Sequence, residues 1–494
     1  MKKILFTLLL LQIIASGVVF SGEIPKREFR GAWFPTVTNT TWHSMTTGEI
    51  KEDIIFYLDL FKKLNMNAVI FQVRPQADAL FVSELEPWSR FLTGTQGVAP
   101  DPLFDPAEFI IEECHKRGME LHAWFNPYRV SSSSNEVLAK NHLYFEKPHL
   151  FVHYGNQIYF DPGQPESREH TISVIKDFVS RYDVDAIHFD DYFYPYRVPY
   201  RDFPDDSSFE KYREQDGYGM FEKDEWRRNN VNVLVKELNK TIKSIKPWVK
   251  FGISPFGVWR NDYVDSKGSQ SASLQTNYDD LFADVLKWTE QKWIDYNAPQ
   301  LYWEIGHRRV DYKKMTDWWI KNRNGVNLYI GQSIWNQLSI KNYNGDVVNQ
   351  LHRKMTIIRE NDSIDGNIWW SGLGLASNKE LADSLYYSYQ KYPALVPLYP
   401  AIDSLVPQPV DEVKFKRGKL TWKGQFSGDK MNDPFFYVVY RFPKGTPVNI
   451  ENSSAIFLIT NQTSAKLKRD RGETILVTAL DRCQNESKPV YLNL

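Results

Sequence analysis

Cysteine is almost absent from this chain: Cys114 and Cys483 are the only two among 494 residues. They fall in different predicted domains, and Cys114 lies on an apolar helix face, so we expect no disulfide between them. No cysteine or histidine spacing matches a zinc or haem motif. The sequence therefore predicts neither a disulfide framework nor a metal or other cofactor.

A dominant charge is also lacking, since 60 Lys and Arg residues stand against 61 Asp and Glu residues, for a formal net charge of −1. This balance predicts no nucleic-acid partner and no attraction to an anionic membrane surface. Beyond the N-terminal segment no run of about 18 apolar residues occurs, so we expect no membrane-spanning helix. The composition does not indicate an oligomeric state.

The N-terminus has the pattern of an export signal. Two lysines precede an apolar stretch over residues 4–14, and small residues follow. Val19 and Ser21 suit the −3 and −1 positions of a cleavage site. We therefore expect residues 1–21 to be a signal peptide and the mature protein to be periplasmic or secreted.

Aromatic side chains are abundant, with 16 Trp, 27 Tyr and 30 Phe. Part of this content fills cores, but Trp and Tyr in excess also suit stacking on flat, partly apolar ligands. The aromatic content therefore fits a carbohydrate ligand.

Hydrophobic periodicity alternates between strand and helix eight times along residues 27–391. Eight βα units predict an α/β fold whose parallel sheet closes into a (β/α)8 barrel, the TIM barrel. A doubly wound sheet would not need eight units. The loops after strands two to five are long, about 30, 40, 33 and 24 residues, and such loops on one rim are typical of barrel enzymes. The predicted strands are Arg30–Val37, Ala68–Arg74, Met119–Asn126, a strand from Asp183, Val249–Ser254, Ile294–Trp303, Asn327–Ser333 and Asp365–Ser371, and the helices include 279–291, 345–359 and 377–390.

The C-terminal part has a different pattern. Residues 393–409 contain five prolines, which predicts a stiff linker. Residues 410–494 contain short strands broken by Gly, Asn, Asp and Pro. That pattern predicts a small all-β sandwich of the immunoglobulin or fibronectin-type-III kind.

Within each barrel strand, polar residues fall on one face near the C-terminal end. In the fourth strand, alternation places His188, Asp190 and Tyr192 on the same face. Because a barrel core is otherwise filled by branched apolar side chains, this parity indicates a site at the barrel mouth. The other inward candidates are Gln72 and Arg74, then Glu120, His122, Trp124 and Asn126, then Gly252 and Ser254, then Gln300, Tyr302 and Glu304, and Trp369 or Trp370.

Carboxylates at this mouth favour glycoside hydrolysis, which needs a proton donor for the leaving oxygen and a carboxylate facing the oxocarbenium-like centre. Asp190 is the best-placed acid. Asp191 is adjacent and would point away in regular strand geometry unless the chain turns there; two charges so close would raise one pKa. Glu304 has the correct parity on strand six and is the partner candidate by position. Asp78 and Glu84 are weaker candidates.

Several polar candidates also have a structural interpretation. Arg74 could neutralise Asp190 as readily as bind substrate. His122 and His188 could be hydrogen-bonded core residues, or could form a metal site with Asp190, although no HxH or HExxH spacing supports a metal. Three tryptophans at strand ends are packing residues or, by their clustering, a sugar platform: Trp259, Trp303 and Trp370.

Nine motifs stand in a fixed order along residues 27–391: RGAWFPTV, FQVRPQADAL, EPWSRFLTG, HKRGMELHAWFNPYRV, DPG, RYDVDAIHFDDYFYP, EWRRNNV, FGISPFGVWRN and DYNAPQLYW. In order and spacing they resemble the glycosyl-hydrolase-like-10 family. The resemblance implies a (β/α)8 glycosidase fold in exported bacterial proteins, at least one of which cuts peptidoglycan glycan strands stripped of their stem peptides. It also implies functional roles for Arg74, His122, Asn126, Arg129, Asp190, Asp191, Tyr192, Trp259, Arg260, Gln300, Tyr302 and Trp303.

Glu304 follows the last shared motif but stands outside it, which leaves Asp191 or Glu84 as alternative partners of Asp190. A looser likeness connects the fourth strand with chitinase-type barrels, whose strand ends in DxDxE followed by Tyr-Pro. Tyr192 stands here in place of the terminal acid, so their substrate-assisted mechanism is not supported. N-acetylated sugars remain candidate substrates.

The sequence leaves two functions open. The first is a glycosidase that cleaves a bacterial polysaccharide, peptidoglycan glycan strands in particular, by carboxylate acid/base chemistry. The second is a non-catalytic carbohydrate-binding protein on a degenerate barrel, suggested by the missing second acid. A second carboxyl group about 5–10 Å from that of Asp190 across an open groove would favour the enzyme.

Overall fold

The computed structural model of the protein describes residues 24–37, 41–338, 340–341 and 347–492. The predicted signal peptide over residues 1–21 lies outside these ranges. Eight parallel strands close into a barrel in which consecutive strands are neighbours and the last pairs with the first, which confirms the predicted (β/α)8 architecture. The barrel strands are β1 (Phe29–Phe34), β2 (Ala68–Arg74), β3 (Glu120–Phe125), β4 (Ala186–Phe189), β5 (Lys250–Ile253), β6 (Tyr296–Asn297), β7 (Asn327–Ser333) and β8 (Gly366–Trp370).

A helix follows each strand on the outside of the barrel. The first one begins at Thr47, because Thr46 and Glu49 form a capping box that satisfies the first free amide groups. Within the described ranges, no helix is long and apolar enough to span a membrane. The outer helices are α1 (Thr47–Lys63), α2 (Pro106–Lys116), α3 (Pro165–Arg181), α4 (Lys223–Ile245), α5 (Val285–Glu290), α6 (Tyr312–Lys321), α7 (Gln350–Arg359) and α8 (Lys379–Ser384).

The loops at the carboxyl ends of the strands carry small elements of their own. They include the short helices Arg90–Thr93, Leu143–Glu146, Asp206–Tyr212 and Asn277–Asp280, the hairpin of Phe151–Tyr154 with Gln157–Phe160, the pair Ile340–Lys341 with Val347–Val348, and the 3-10 turns Trp42–Ser44, Pro148–Leu150 and Gly372–Leu375.

The sixth strand is much shorter than predicted. We expected it over 294–303, but β6 holds only two residues. Pro299 has no amide hydrogen to donate to a neighbouring strand, so regular pairing ends before it. Beyond the proline, Gln300 makes isolated bridges to the chain segments on both sides. The residues that follow are therefore not bound by strand alternation.

Three predicted helices also differ in extent. The helix expected over 279–291 is divided into Asn277–Asp280 and α5, with Phe282 at a positive φ of 51° between them. The helix expected from 345 begins at Gln350, because Asn349 caps it; residues 342–346 lie outside the described ranges. The last helix ends at Ser384 and continues as one π-helical turn, Leu385–Tyr389.

Aromatic and polar side chains, rather than branched aliphatic ones, fill much of the barrel interior. Phe29 stacks on Tyr329 with ring centroids 3.9 Å apart, and Tyr296 lies 5.1 Å from Tyr329. Gly252 on β5 makes room for this packing, since a Cβ atom there would lie 1.9 Å from the Tyr296 ring. The interior therefore accommodates a phenol that crosses the barrel axis.

The C-terminal part forms two antiparallel sheets of three and four strands. Their inner faces enclose one apolar cluster that includes Trp422, and a second cluster, which includes Tyr440 and Leu395, lies on the other face of the four-stranded sheet. The two sheets hold seven strands, in agreement with the predicted short-strand pattern. They are β9 (Asp411–Lys416), β10 (Lys419–Lys423), β11 (Phe436–Phe442), β12 (Ile456–Thr460), β13 (Ser464–Lys466), β14 (Thr474–Leu480) and β15 (Val490–Tyr491), with a 3-10 turn at Ser453–Ala455.

These sheets pack against the N-terminal ends of the barrel strands. Gln484 Nε2 donates to Glu120 Oε1 over 2.7 Å, and the Lys250 ammonium donates to the carbonyl of Arg482 over 3.1 Å. Gly118, just before β3, meets the sheet backbone so closely that a Cβ there would lie 2.4 Å from the Ile459 carbonyl oxygen. Both cysteines are free and buried.

The segment 393–409, predicted as a stiff linker, contains no helix or strand, yet it packs against the barrel. Leu395 exchanges backbone hydrogen bonds with the chain just before β1. Val396 and Tyr399 are buried in the cluster that fills the barrel interior. The segment therefore closes the lower end of the barrel, at the N-terminal ends of its strands, and is not a spacer between two separate domains.

A buried ion pair fixes the loop that follows β2. Arg74 donates to both carboxylate oxygens of Glu86, over 2.7 and 2.5 Å, and also to the carbonyl of Asn126. His170 approaches the same carboxylate at 3.0 Å. Burial alone would favour the neutral acid, but Arg74 and His170 lower the pKa of Glu86 to about 2. This pair ties the loop to the end of β3.

We expect Glu86→Ala to lower the free energy of unfolding by about 3–5 kcal/mol, because Arg74 would stay buried without its counter-charge. The measurement is the midpoint of denaturant unfolding. Glu84→Ala, an exposed position in the same loop, is the matched control and should change stability by less than about 0.5 kcal/mol. Equal midpoints for the two variants would contradict the structural role of the pair.

Candidate active site

A cavity of about 390 Å³ opens at the carboxyl ends of the barrel strands. This is the rim where barrel enzymes bind substrate. Its walls are mostly aromatic and its floor carries two carboxyl groups. The lining residues are Trp33, Pro35, Val37, Gln72, Trp124, Arg129, Asp190, Asp191, Tyr192, Tyr196, Ser254, Phe256, Gln300, Tyr302, Trp303 and Trp370.

Asp190 and Asp191 both line the cavity although they are adjacent in the chain. β4 ends at Phe189, so strand alternation no longer separates them. A turn follows, in which the Tyr192 amide donates to Asp190 Oδ1 over 3.2 Å and the Phe193 amide donates to the Asp191 carbonyl over 3.1 Å. The sequence left the direction of the Asp191 side chain dependent on how the strand ends. Because the chain turns after Phe189, both carboxyl groups line the same cavity.

The carboxylate of Asp190 is held by an amide whose orientation is fixed. Asn126 Nδ2 donates to Asp190 Oδ2 over 2.7 Å. The other side of that amide, Oδ1, accepts from Gln72 Nε2 and from Arg129 Nη2, each over 2.8 Å. Because these two groups can only donate to Oδ1, the amino group of Asn126 must face Asp190.

Asp191 has a separate set of donors. The Tyr196 hydroxyl donates to Asp191 Oδ2, and Gln300 Nε2 donates to Asp191 Oδ1 over 3.1 Å. Gln300 is itself held by the carbonyl of Ser254 over 2.9 Å. The ring of Tyr196 stacks on Tyr192 with centroids 5.5 Å apart, which orients the hydroxyl.

Burial raises the pKa of both carboxyl groups. For Asp190, burial and the charge of Asp191 outweigh Arg129, Asn126 and the Tyr192 amide, and the pKa rises to about 7. For Asp191, burial outweighs the donors Tyr196 and Gln300, and its pKa is also raised. The pair therefore retains a proton near neutral pH, as two carboxyl groups in a desolvated site do.

Aromatic rings form the walls beside the carboxyl pair. Trp370 packs edge-on against Trp33 and Trp124, with centroids 6.2 and 5.9 Å apart. On the opposite strands Phe256 packs edge-on against Trp303 at 5.6 Å. Such faces can stack on the apolar sides of sugar rings.

Eight of the residues predicted to be catalytic or substrate-binding line this cavity, and a ninth, Asn126, donates a hydrogen bond to Asp190. Arg129 lines the cavity and also donates to the Asn126 side chain, and its guanidinium lies 5.2 Å from the Tyr192 ring. The eight are Arg129, Asp190, Asp191, Tyr192, Gln300, Tyr302, Trp303 and Trp370.

Glu304 does not line the cavity, so the geometry does not bring this predicted catalytic partner to Asp190. Its prediction relied on strand alternation, and β6 ends well before it. Its charge instead acts on Lys354, where it partly offsets the burial that lowers the pKa of that lysine to about 8. The weaker candidates are also elsewhere: Glu84 is exposed, and Asp78 is buried against Gln96.

Three polar residues predicted to bind substrate are structural instead. Arg74 is fully buried against Glu86, so it does not pair with Asp190. His122 and His188 lie in the barrel interior beneath the cavity, where both contact the Tyr296 hydroxyl at 2.8 Å. The two histidines agree with the interpretation as hydrogen-bonded core residues, whereas Arg74 pairs with Glu86 and not with Asp190 as the structural interpretation expected.

Two further predictions fall in the loop after β5, outside the cavity. Trp259 is buried and stacks on Trp318 with centroids 6.0 Å apart. Arg260 pairs with Asp279 at 2.8 Å and with Asp265 at 3.1 Å. Both residues stabilise the loop, and neither lines this cavity.

Three other lining residues, Gln72, Trp124 and Ser254, were predicted from strand alternation only to face inward, without a role in catalysis or binding. Trp33, Tyr196 and Phe256 have no stronger signal than their aromatic character. Across the described ranges, no group of three or more His, Cys, Asp or Glu side chains is arranged to hold a metal ion.

Comparison with known proteins identifies relatives of the chain. A family model described as Glycosyl hydrolase-like 10 matches residues 28–344. The chain is 38% identical over 501 residues to Glycosyl hydrolase YngK of Bacillus subtilis (strain 168), covering 98% of this chain and 97% of that protein. It is 37% identical over 327 residues to Glycosyl hydrolase DigH of Escherichia coli (strain K12), covering 62% of this chain and 73% of that protein.

Among solved structures, the catalytic domain of β-amylase from Paenibacillus polymyxa matches with a TM-score of 0.49 and 11% identity, over 74% of this chain and 99% of that one. The sequence relatives are much nearer. The family match covers more than half of the chain, and the relatives named above are glycosyl hydrolases. The chain therefore belongs to the glycosyl hydrolase-like 10 family and is a glycosidase.

Proposed function

We propose that the protein hydrolyses glycosidic bonds of a bacterial polysaccharide with Asp190 and Asp191 as its two catalytic carboxyl groups. The observation that carries the proposal is the burial of both groups in one cavity with different hydrogen-bond partners. Glycoside hydrolysis needs one protonated and one ionised carboxyl group at the scissile bond. A buried pair that retains one proton meets this need.

Asp190 is proposed as the general acid. Its raised pKa of about 7 keeps a proton available near neutral pH, and protonation of the leaving oxygen is the step that such a group accelerates. Asp191 is proposed as the carboxylate. Tyr196 and Gln300 donate to its two oxygens and so favour its charged form, which stabilises the positive charge that develops at the anomeric carbon.

The substrate is proposed to be the glycan of peptidoglycan. The aromatic walls fit pyranose rings, and N-acetylated sugars present both an apolar methyl group and polar groups to such walls. The cationic side chain of Arg129 lines the same cavity and suits the lactyl carboxylate of muramic acid. A signal peptide over residues 1–21, as the sequence predicts, would deliver the enzyme to this polymer.

We expect Asp190→Asn and Asp191→Asn each to lower kcat by at least about 10²-fold, because each removes a carboxyl group that takes part in bond cleavage. The assay is mass spectrometry of products from purified glycan strands. Asp206→Asn, an exposed aspartate in the loop after the same strand, is the control and should keep full activity. Wild-type rates in both active-site variants would refute the assignment.

The substrate is tested with a panel of intact peptidoglycan, peptidoglycan freed of its stem peptides, chitin oligosaccharides and an uncharged glucan. We expect cleavage of the peptidoglycan glycan and none of the glucan, since only the former carries N-acetyl and lactyl groups. Cleavage of the glucan alone would exclude the proposed polymer and leave the carboxyl chemistry intact.

The pH profile tests the role of Asp190. As an acid it must be protonated, so we expect kcat/KM to fall as pH rises through about 7. The amide of Asn126 favours the ionised form, so Asn126→Ala should raise the pKa of Asp190 and move the alkaline limb to higher pH. An alkaline limb that stays in place in this variant would show that another group supplies the proton.

A further inference from the structure

A row of buried polar side chains lies along the barrel axis beneath the cavity. Glu120, His122, Tyr296 and His188 are each no more than 1% exposed. Glu120 Oε2 lies 3.0 Å from His122 Nε2, and the Tyr296 hydroxyl lies 2.8 Å from Nδ1 of both histidines. Three successive contacts thus join the lower end of the barrel to the floor of the cavity.

At the lower end of the row, Glu120 determines which nitrogen of His122 carries the proton. Its Oε1 accepts from Lys250 Nζ and from Gln484 Nε2, each over 2.7 Å. Burial opposes its ionisation, but Lys250 and His122 lower the pKa of Glu120 to about 2. A carboxylate can only accept, so His122 must carry its proton on Nε2.

The arrangement is fixed independently at the upper end by Trp33. The indole Nε1 of Trp33 can only donate, and it lies 3.3 Å from His188 Nε2. Burial, with a smaller contribution from His122, holds the pKa of His188 well below its usual range, so the ring is neutral. Nε2 of His188 is therefore an acceptor, and the proton is on Nδ1.

The two hydrogen bonds of the Tyr296 hydroxyl are consistent with the proton positions at both ends of the row. Because Nδ1 of His188 carries a proton, the single hydroxyl hydrogen of Tyr296 is donated to Nδ1 of His122, which is therefore an acceptor. The phenol oxygen then accepts from Nδ1–H of His188. One proton arrangement satisfies every contact in the row, which is how a fully buried polar network becomes rigid. Gly252 leaves the space in which the Tyr296 ring lies.

The tautomer of His188 has a consequence in the cavity. Ser254 Oγ lies 2.9 Å from His188 Nε2 and 3.4 Å from the carbonyl of Phe189. Its hydroxyl hydrogen points to the imidazole only while Nε2 is an acceptor. Ser254 and Trp33 both line the cavity, and the carbonyl of Ser254 holds the Gln300 that donates to Asp191.

We propose that Glu120, His122, Tyr296 and His188 form a positioning network that keeps Nε2 of His188 as an acceptor and thereby orients Trp33 and Ser254 against the bound sugar. The inference rests on the proposed hydrolysis and extends it to residues that touch no substrate. Because Gln484 supplies one of the donors to Glu120, the C-terminal sheets are part of the support of the site.

The test is Tyr296→Phe, which removes the hydroxyl and keeps the ring. In the wild type, ¹⁵N spectra of histidine-labelled protein at pH 7 should show His122 protonated on Nε2 and His188 on Nδ1. In the variant, His188 should become a mixture of tautomers. KM for the glycan should rise about 10-fold or more while kcat changes less, since the misplaced groups bind sugar and do not transfer protons.

Tyr329→Phe is the matched control, because it removes a phenol hydroxyl group from the same apolar cluster. The Tyr329 hydroxyl bonds Tyr399 and touches neither histidine, so both tautomers and KM should stay as in the wild type. Ser254→Ala is a second variant that should raise KM without changing the tautomer of His188.

A wild-type His188 protonated on Nε2 would overturn the proposal. This result comes from the ¹⁵N spectrum of the wild type, so it tests the proposal even if Tyr296→Phe does not fold. An unchanged tautomer and KM in folded Tyr296→Phe would overturn it as well. If the wild type cuts none of the glycans, the hydrolytic role fails, whereas the fixed tautomers remain a separate observation. The two failures are thus distinguishable.

Discussion

Two carboxyl groups buried side by side impose the main constraint on this structure. Asp190 and Asp191 are only 4% and 2% exposed, and removing like charges from water costs free energy unless a proton or a set of donors compensates. Both compensations are present. Asn126 and the turn hold one carboxyl group, Tyr196 and Gln300 hold the other, and the pair keeps a proton near neutral pH.

The donors themselves need support, since an amide or phenol that can rotate stabilises no particular charge. Asn126 cannot flip, because Gln72 and Arg129 both donate to its oxygen. Gln300 cannot withdraw from Asp191 without losing the carbonyl of Ser254. Preorganised donors of this kind account for much of the rate that enzymes achieve, because no reorganisation is needed during the reaction. The proposed carboxyl chemistry thus depends on the residues that fix the orientation of these donors.

The barrel could be predicted from the sequence because eight βα periods and long loops on one rim are properties of the pattern itself. Asp190 could be predicted for the same reason, since it ends a strand of clear alternation. Arg74, His122 and His188 show the limit of that argument. Alternation places a polar residue on the inner face, but it does not tell the depth at which the residue lies. Glu86, the partner of Arg74, lies in the irregular loop after β2, and Tyr296, the partner of both histidines, is 174 and 108 residues away from them along the chain.

Alternation also fails where a strand ends, and the site is built at those ends. Asp190 and Asp191 follow the last residue of β4, and Tyr302 and Trp303 follow the short β6; both pairs consist of consecutive residues that face the same cavity. Regular strands present one residue in two to the inside, which limits how many side chains a barrel mouth can bring together. Early ends at β4 and β6 remove this limit. Pro299 keeps β6 short, and the early end of this strand allows the consecutive residues Tyr302 and Trp303 to line the cavity together.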